Sequence, residues 1–352
     1  MSSLDELLGR AAQLVADGVT PACQLAVARD GDLLAFETFG AATNDSRFCV
    51  YSATKPIVAS MIWLLLGDGL ISTDQLVVDL VPEFGTHGKD VITLEQVLLH
   101  TSGFPNALVT PVAGADPIRR RAAFAEWHLD WEPGSRFEYH ALSAHWVLAD
   151  IIERVTGLDF RDAIEQRVSR PLGLPRLLGI PIEDQADVVD AVAIGTPDVD
   201  EPYDILEIAN DGPARAAGAP GGGGLMTAAS MARFYQALLH NPDGVWDATV
   251  LADATTNIRC RLDEPLMHVA VNRTIGLVVA GDDGMHQLRY AVFGRDCSPR
   301  AFGHSGAFMQ VAWADSETGI SFAFTKNGCN FDMLGDAVKV MPLSDLAAAL
   351  DV

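Results

Sequence analysis

Ser52 and Lys55 stand three residues apart in "CVYSATKPIVASMIWLLLGDGL", residues 49–70, where a strongly apolar segment begins. Residues at i and i+3 share one face of a helix, so the spacing sets an amine one turn from a hydroxyl. A serine hydroxyl attacks a carbonyl only when a neighbouring base takes its proton. A lysine becomes that base when burial and a helix N-terminus bring its pKa down toward neutrality. The plain alternative is an N-cap serine followed by a surface lysine. Two further stretches add to the pair. Tyr139 ends a turn-rich segment, "WEPGSRFEY", just ahead of a helical pattern, and a tyrosine held near a lysine can share its proton. His304-Ser305-Gly306 leads into a strand-like run, where the N–H of Ala307 could join that of Ser52 as an oxyanion hole.

Those residues need elements to hold them. The first eighteen residues read as an amphipathic helix with Leu4, Leu7, Leu8, Ala11, Leu14 and Val15 on one face. Two β-prone runs then flank Arg29-Asp30-Gly31-Asp32, a hairpin signal. The Ser52 segment predicts a helix of about four turns, with Pro56 tolerable only in its first turn and biasing Lys55 away from helical angles. Thr93 is read as an N-cap, Gly157 as the stop of "SAHWVLADIIERVTG", and Thr227 or Ser230 as the cap of a helix after a glycine loop. The run Arg119-Arg120-Arg121 reads as a solvated helix face. From about residue 270 the period changes to that of strands: "TIGLVVAG", "FMQVAWAD" and "GISFAFTKN", the last two joined by a turn at 316–319. A helix near 334–350 closes the chain. This order predicts an α+β fold. Its sandwich, residues 1–75 and 245–352, has an antiparallel sheet flanked by the N- and C-terminal helices, and a mostly helical domain, 76–244, is inserted, with the site at the junction.

Composition narrows the function. The chain has 352 residues, nearly half hydrophobic, and a formal net charge of −23. Such a chain repels phosphate backbones and anionic surfaces, so neither nucleic acid nor membrane insertion is expected. Five cysteines, an odd number with no metal-like spacing, are expected reduced and mostly buried. The nine histidines include no His-Glu-x-x-His, and His140 and His145 are off a shared face, so no metal and no cofactor are expected. With no basic head or apolar leader at the N-terminus, a cytoplasmic location is the expectation.

Together the three pieces resemble the serine β-lactamase and penicillin-binding-protein superfamily, and within it the class C-like branch with its family VIII carboxylesterases, D-aminopeptidases and DD-peptidases. Ser52-Ala53-Thr54-Lys55 is similar to the first motif throughout. Tyr139-His140-Ala141 keeps the tyrosine of the second, Tyr-x-Asn, and His304-Ser305-Gly306 matches the histidine variant of the third, Lys-Thr-Gly. The flanks "LLHTSGFP", "PGSRFEY" and "IIERVTG" and the glycine loop before "LMTAASMARF" agree. The resemblance implies a β-lactamase/transpeptidase-like fold, Ser52 as the acylated nucleophile, and Lys55 with Tyr139 as the proton-transfer pair. It also implies that His304, Gly306 and Ala141 face the substrate.

Ala141 stands where β-lactamases hold the substrate amide with an asparagine, and an unperturbed His304 is mostly neutral at pH 7. Both lean toward a small-molecule ester substrate. The alternatives are the same chemistry on amides (a β-lactamase, DD-peptidase or D-aminopeptidase) and a catalytically silent binding protein of the same fold. A rival nucleophile elbow, Gly303-His304-Ser305-Gly306-Ala307, requires a helix directly after it and a later histidine. The run after it is strand-like and no histidine comes later than His304.

Overall fold

The computed structural model describes residues 3–196 and 205–351. Asp30 and Gly31 both take positive φ, 53° and 88°, the geometry of the tight hairpin turn that Asp-Gly favours. They join β1 (Ala22–Arg29) to β2 (Asp32–Gly40), with Arg29 opposite Asp32. Four more strands come from the other end of the chain: β3 (Val278–Val279), β4 (Ala301–Gly303), β5 (Val311–Asp315) and β6 (Ile320–Lys326). They form one sheet in the order β2-β1-β6-β5-β4-β3, antiparallel at every pairing. The two chain ends thus meet where β1 pairs with β6. The expected strand over "TIGLVVAG" shrinks to β3, because Thr274 and Gly276 close a turn, with Gly276 N donating to Thr274 O at 2.7 Å.

Side chains alternate between the faces of a strand, and the two faces of this sheet differ in size. Leu25, Val27, Val311, Trp313, Phe322 and Phe324 lie in the core shared with α1 (Ser3–Ala16) and the C-terminal helix. Ala26, Ala28, Ala312, Ala314 and Ala323 face the other core. The alanines let a helix at Ala228–His240 lie close against β1, β5 and β6. A division of the chain at 244 places that helix with the helical segment, but its packing is on the sheet.

Between sheet and helical region runs α2 (Lys55–Gly67), buried at every position from Lys55 to Leu65, as a helix apolar all round must be. Trp63 Nε1 donates to Ile275 O at 2.7 Å and Trp246 Nε1 to Ser60 O at 3.0 Å, pinning it on both sides. Pro56 sits in its first turn, yet Lys55 keeps helical angles (φ −56°, ψ −43°). The irregularity expected there falls upstream instead. Residues 52–54 form a 3₁₀ turn, and Tyr51 before it has φ 45°, ψ −130°, a conformation bulky residues rarely adopt.

The predicted caps form. Thr93 makes a capping box with Gln96, Gly157 closes its helix at φ 71°, and Thr227 accepts from Ser230 N. The arginine run is corrected. Successive helix residues point about 100° apart, so three cannot share one face. Arg119 is exposed, but Arg120 is fully buried and bonds Asp150 at 2.6 and 3.0 Å, Glu153, and Gly114 O at 2.8 Å. All five cysteines are free, four of them buried.

Candidate active site

Ser52 opens the 3₁₀ turn that leads into α2, and that turn is wedged from two sides. Thr54 Oγ1 accepts from Gly224 N at 2.9 Å and donates to Tyr51 O at 2.6 Å. On the other side Gly306 approaches so closely that a Cβ there would stand 2.1 Å from Val50 O. Only glycine fits. The positive φ of Tyr51 is therefore imposed by neighbours on both flanks, the kind of local strain that clusters at functional sites.

Lys55 Nζ has three partners: Ser52 Oγ at 3.0 Å, Ala141 O at 2.7 Å and Gly221 O at 2.6 Å. A neutral amine has two N–H groups and one lone pair. With both carbonyls taking N–H groups, the lone pair is left for the Ser52 hydroxyl. Burial, with the Arg273 charge adding to it, holds the Lys55 amine well below its usual range, the condition a base needs.

Tyr139 covers the other side. Its ring lies 4.9 Å from Lys55 Nζ and is stacked between His100 and Tyr290, each at 4.8 Å. Burial pushes its phenol up to about 12, opposed by Arg273 and Ser52. The Tyr139 oxygen itself is buried without a hydrogen-bond partner. The fold thus brings Ser52, Lys55 and Tyr139 together.

The N–H of Ser52 begins the short 3₁₀ turn 52–54, a position where a backbone donor has no partner within its turn, and Ala307 opens the tight turn 307–309. Both residues line one cleft of about 490 Å³. Phe308 and Met309, at φ 56° and 62°, turn the chain sharply after Ala307, and Gly306 N closes the turn on Gln310 O at 2.7 Å. The chain then enters strand β5, so Ser305 has no nucleophile-elbow helix behind it.

His304 departs from its expected place. It is buried and not among the residues lining the cleft; Ser305, Gly306 and Ala307 form that wall. Its Nδ1 meets Ser305 O at 2.7 Å, which folds the ring back toward Tyr139, 6.0 Å away. Burial, with the Arg273 charge adding to it, holds it well below its usual pKa, so it is a neutral imidazole behind the cleft wall. Ala141 does line the cleft, and its carbonyl serves Lys55.

His140 is structural. Its Nε2 accepts from Phe104 N at 3.1 Å and its Nδ1 meets Glu138 O at 2.6 Å, with burial lowering it to about 4. Among the described residues no group of three or more His, Cys, Asp or Glu side chains is placed to hold a metal ion. Three participants had no sequence signal strong enough to name them: Gly221, whose carbonyl holds Lys55 from within the glycine loop; Tyr290, stacked on Tyr139; and Arg273. Away from Ser52 the cleft is lined by Leu108, Val109, Pro111, Leu142, Ile205 and Ile208 among others.

A sequence model of the Beta-lactamase family matches residues 9–338. The chain is 26% identical over 317 residues to the esterase/beta-lactamase LipL of Mycobacterium tuberculosis, a match covering 80% of this chain and 70% of that one. A penicillin-binding protein homologue from Caulobacter crescentus superposes with a TM-score of 0.81 at 25% identity, over 99% of this chain and 98% of that one. A family VIII carboxylesterase superposes with a TM-score of 0.82 at 23% identity, over 98% and 97%. That last likeness is one of fold, and the fold is the β-lactamase/penicillin-binding-protein arrangement of helices and antiparallel sheet. Matched from its first helix to its last, the chain belongs to the Beta-lactamase family.

Proposed function

We propose that the protein is a serine hydrolase that cleaves small, uncharged carboxylic esters through an acyl-enzyme on Ser52. As Ser52 Oγ bonds the ester carbonyl carbon, its proton passes to the Lys55–Tyr139 pair. The carbonyl oxygen takes the negative charge between the N–H groups of Ser52 and Ala307. The intermediate collapses, the bond to the alcohol oxygen breaks, and the pair's proton goes to that leaving group. Water then repeats the sequence on the acyl-enzyme, releasing the acid and restoring Ser52.

The lining of the cleft carries the ester reading. Among its described residues no side chain is an amide, and Arg215 is the one cation. Its guanidinium is committed to Ala209 O and Asp190, both at 2.7 Å. A β-lactam or peptide presents an amide and a carboxylate, and each buried polar group left unpaired costs about 1–3 kcal/mol. A neutral ester needs only the nucleophile, the oxyanion donors and an apolar wall. The names of relatives that are esterases support the same reading, and the free, mostly buried cysteines suit a reducing compartment such as the cytoplasm. Among the described residues no helix is long and apolar enough to cross a membrane.

The test is a parallel assay of p-nitrophenyl butyrate and a chromogenic cephalosporin. The ester's kcat/KM should exceed the cephalosporin's at least about a hundredfold, equivalent to roughly 2.7 kcal/mol of transition-state discrimination. Comparable turnover of the two, both dependent on Ser52, overturns the ester assignment. No turnover of either and no labelling by a fluorophosphonate would identify a silent binding protein.

A further inference from the structure

Arg273 is among the largest fully buried side chains, and its Nε and Nη2 have no hydrogen-bond partner. No described carboxylate is paired with it. Elsewhere in this chain buried arginines are matched, as Arg120 is by Asp150 and Glu153. An arginine does not shed its proton in a protein, so the charge stays, and an unpaired buried charge is costly. Three aromatic faces offset part of that cost: the rings of Phe137, Tyr139 and Tyr290 lie 5.4, 5.1 and 5.5 Å from the guanidinium carbon. The backbone is fixed as well, with Arg273 N donating to Cys260 O at 3.0 Å.

We propose that Arg273 is a positioning residue for the acylation step: its unpaired guanidinium, laid against the ring of Tyr139, keeps the Lys55–Tyr139 pair one proton short and so ready to take the proton of Ser52. The proposal rests on the serine-hydrolase reading above. The neighbours of the pair leave Arg273 as the fixed charge. His100 from the loop after residues 94–98, His140 from the segment before the 143–156 helix, His145 in the first turn of that helix, and His304 after β4 are all held neutral by burial. On the Tyr290 side, the carboxylate of Glu264 accepts from the Tyr290 hydroxyl at 3.4 Å. Arg273 disfavours the protonated amine of Lys55 and favours the ionised phenol of Tyr139. Both effects remove protons from the pair, which titrates as a unit.

The experiment measures the rate of Ser52 labelling by a fluorophosphonate against pH, a reaction in which Oγ bonds phosphorus, fluoride leaves and the serine proton goes to the pair. Arg273→Gln removes the charge. Phe137→Glu keeps the arginine and sets a carboxylate against it, which cancels its field by a different route, so the test survives if Arg273→Gln does not fold. In each folded variant the rising limb should move to higher pH by about one unit. A purely structural role lowers the plateau and leaves the limb where it is, and that result, or a limb moved to lower pH, overturns the proposal. A wild-type protein that takes no label at all contradicts the acyl-enzyme reading instead, and Arg273's role with it.

Discussion

Lys55 Nζ lies 3.0 Å from Ser52 Oγ, while the carbonyls of Ala141 and Gly221 hold it at 2.7 and 2.6 Å from the other side. The amine therefore cannot swing away from the hydroxyl, and Tyr139, 4.9 Å from it across the ring, completes one proton-handling unit. Groups that act as a unit give non-additive losses. Lys55→Ala and Tyr139→Phe should each lower ester kcat/KM on the order of a thousandfold or more, and the double variant should be little worse than either. Losses that multiply in the double variant would show that one of the two is only structural.

Four buried histidines make stability depend on acid. Burial holds His100, His145 and His304 well below the ordinary imidazole value and His140 at about 4. A depressed native pKa means that the unfolded chain binds more protons below about pH 6.5. Stability is then complete above that pH and declines as pH falls toward 4, by up to about 1.4 kcal/mol per pH unit for each histidine. Urea midpoints should drop between pH 7.5 and pH 5.5. His145→Phe should flatten that drop, because neither His145 nitrogen has a hydrogen-bond partner to lose. Equal slopes in the two proteins would mean that His145 does not titrate on unfolding.

Arg119 and Arg120 are adjacent in sequence and opposite in energetics. Arg120→Met leaves Glu153 without its cation in the interior, while Asp150 keeps Arg121 at 3.0 Å and Arg154 at 3.5 Å, so the loss should fall near the lower end of the about 3–5 kcal/mol that breaking a buried pair costs. Arg119→Met touches an exposed ion pair with Asp116 and should stay within about 0.5 kcal/mol. Urea unfolding of the two variants checks the contrast; similar midpoints would contradict the burial of Arg120.

Where sequence and structure agree, the reason is local. The Asp30-Gly31 turn, the Thr93 capping box and the Gly157 stop depend on residues within one turn of one another, so their types alone are enough. Ser52 and Lys55 were legible for the same cause, a spacing of three on one helix face. Tyr139 and Ala307 lie far along the chain; motif resemblance tied Tyr139 to the pair, and Ala307 was reached from its place where a strand-like run begins. The features that stayed hidden needed the third dimension. Arg120 looks like its neighbours until Asp150 and Glu153 from another helix are brought against it. His304 sits in the expected motif, but a bond to its own neighbour's carbonyl turns the ring inward. Arg273 and Tyr290 carry no motif, and only the stacking of their side chains on Tyr139 joins them to the site.

The central claim is that Ser52 carries the acyl group. The direct measurement is mass spectrometry of protein quenched in acid within milliseconds of mixing with a p-nitrophenyl ester. The account predicts an added acyl mass on the peptide containing Ser52, appearing with the nitrophenol burst and missing in Ser52→Ala, whose ester turnover should fall on the order of a thousandfold or more. An adduct on any other residue, or a Ser52→Ala protein that keeps a tenth of wild-type activity, would contradict it.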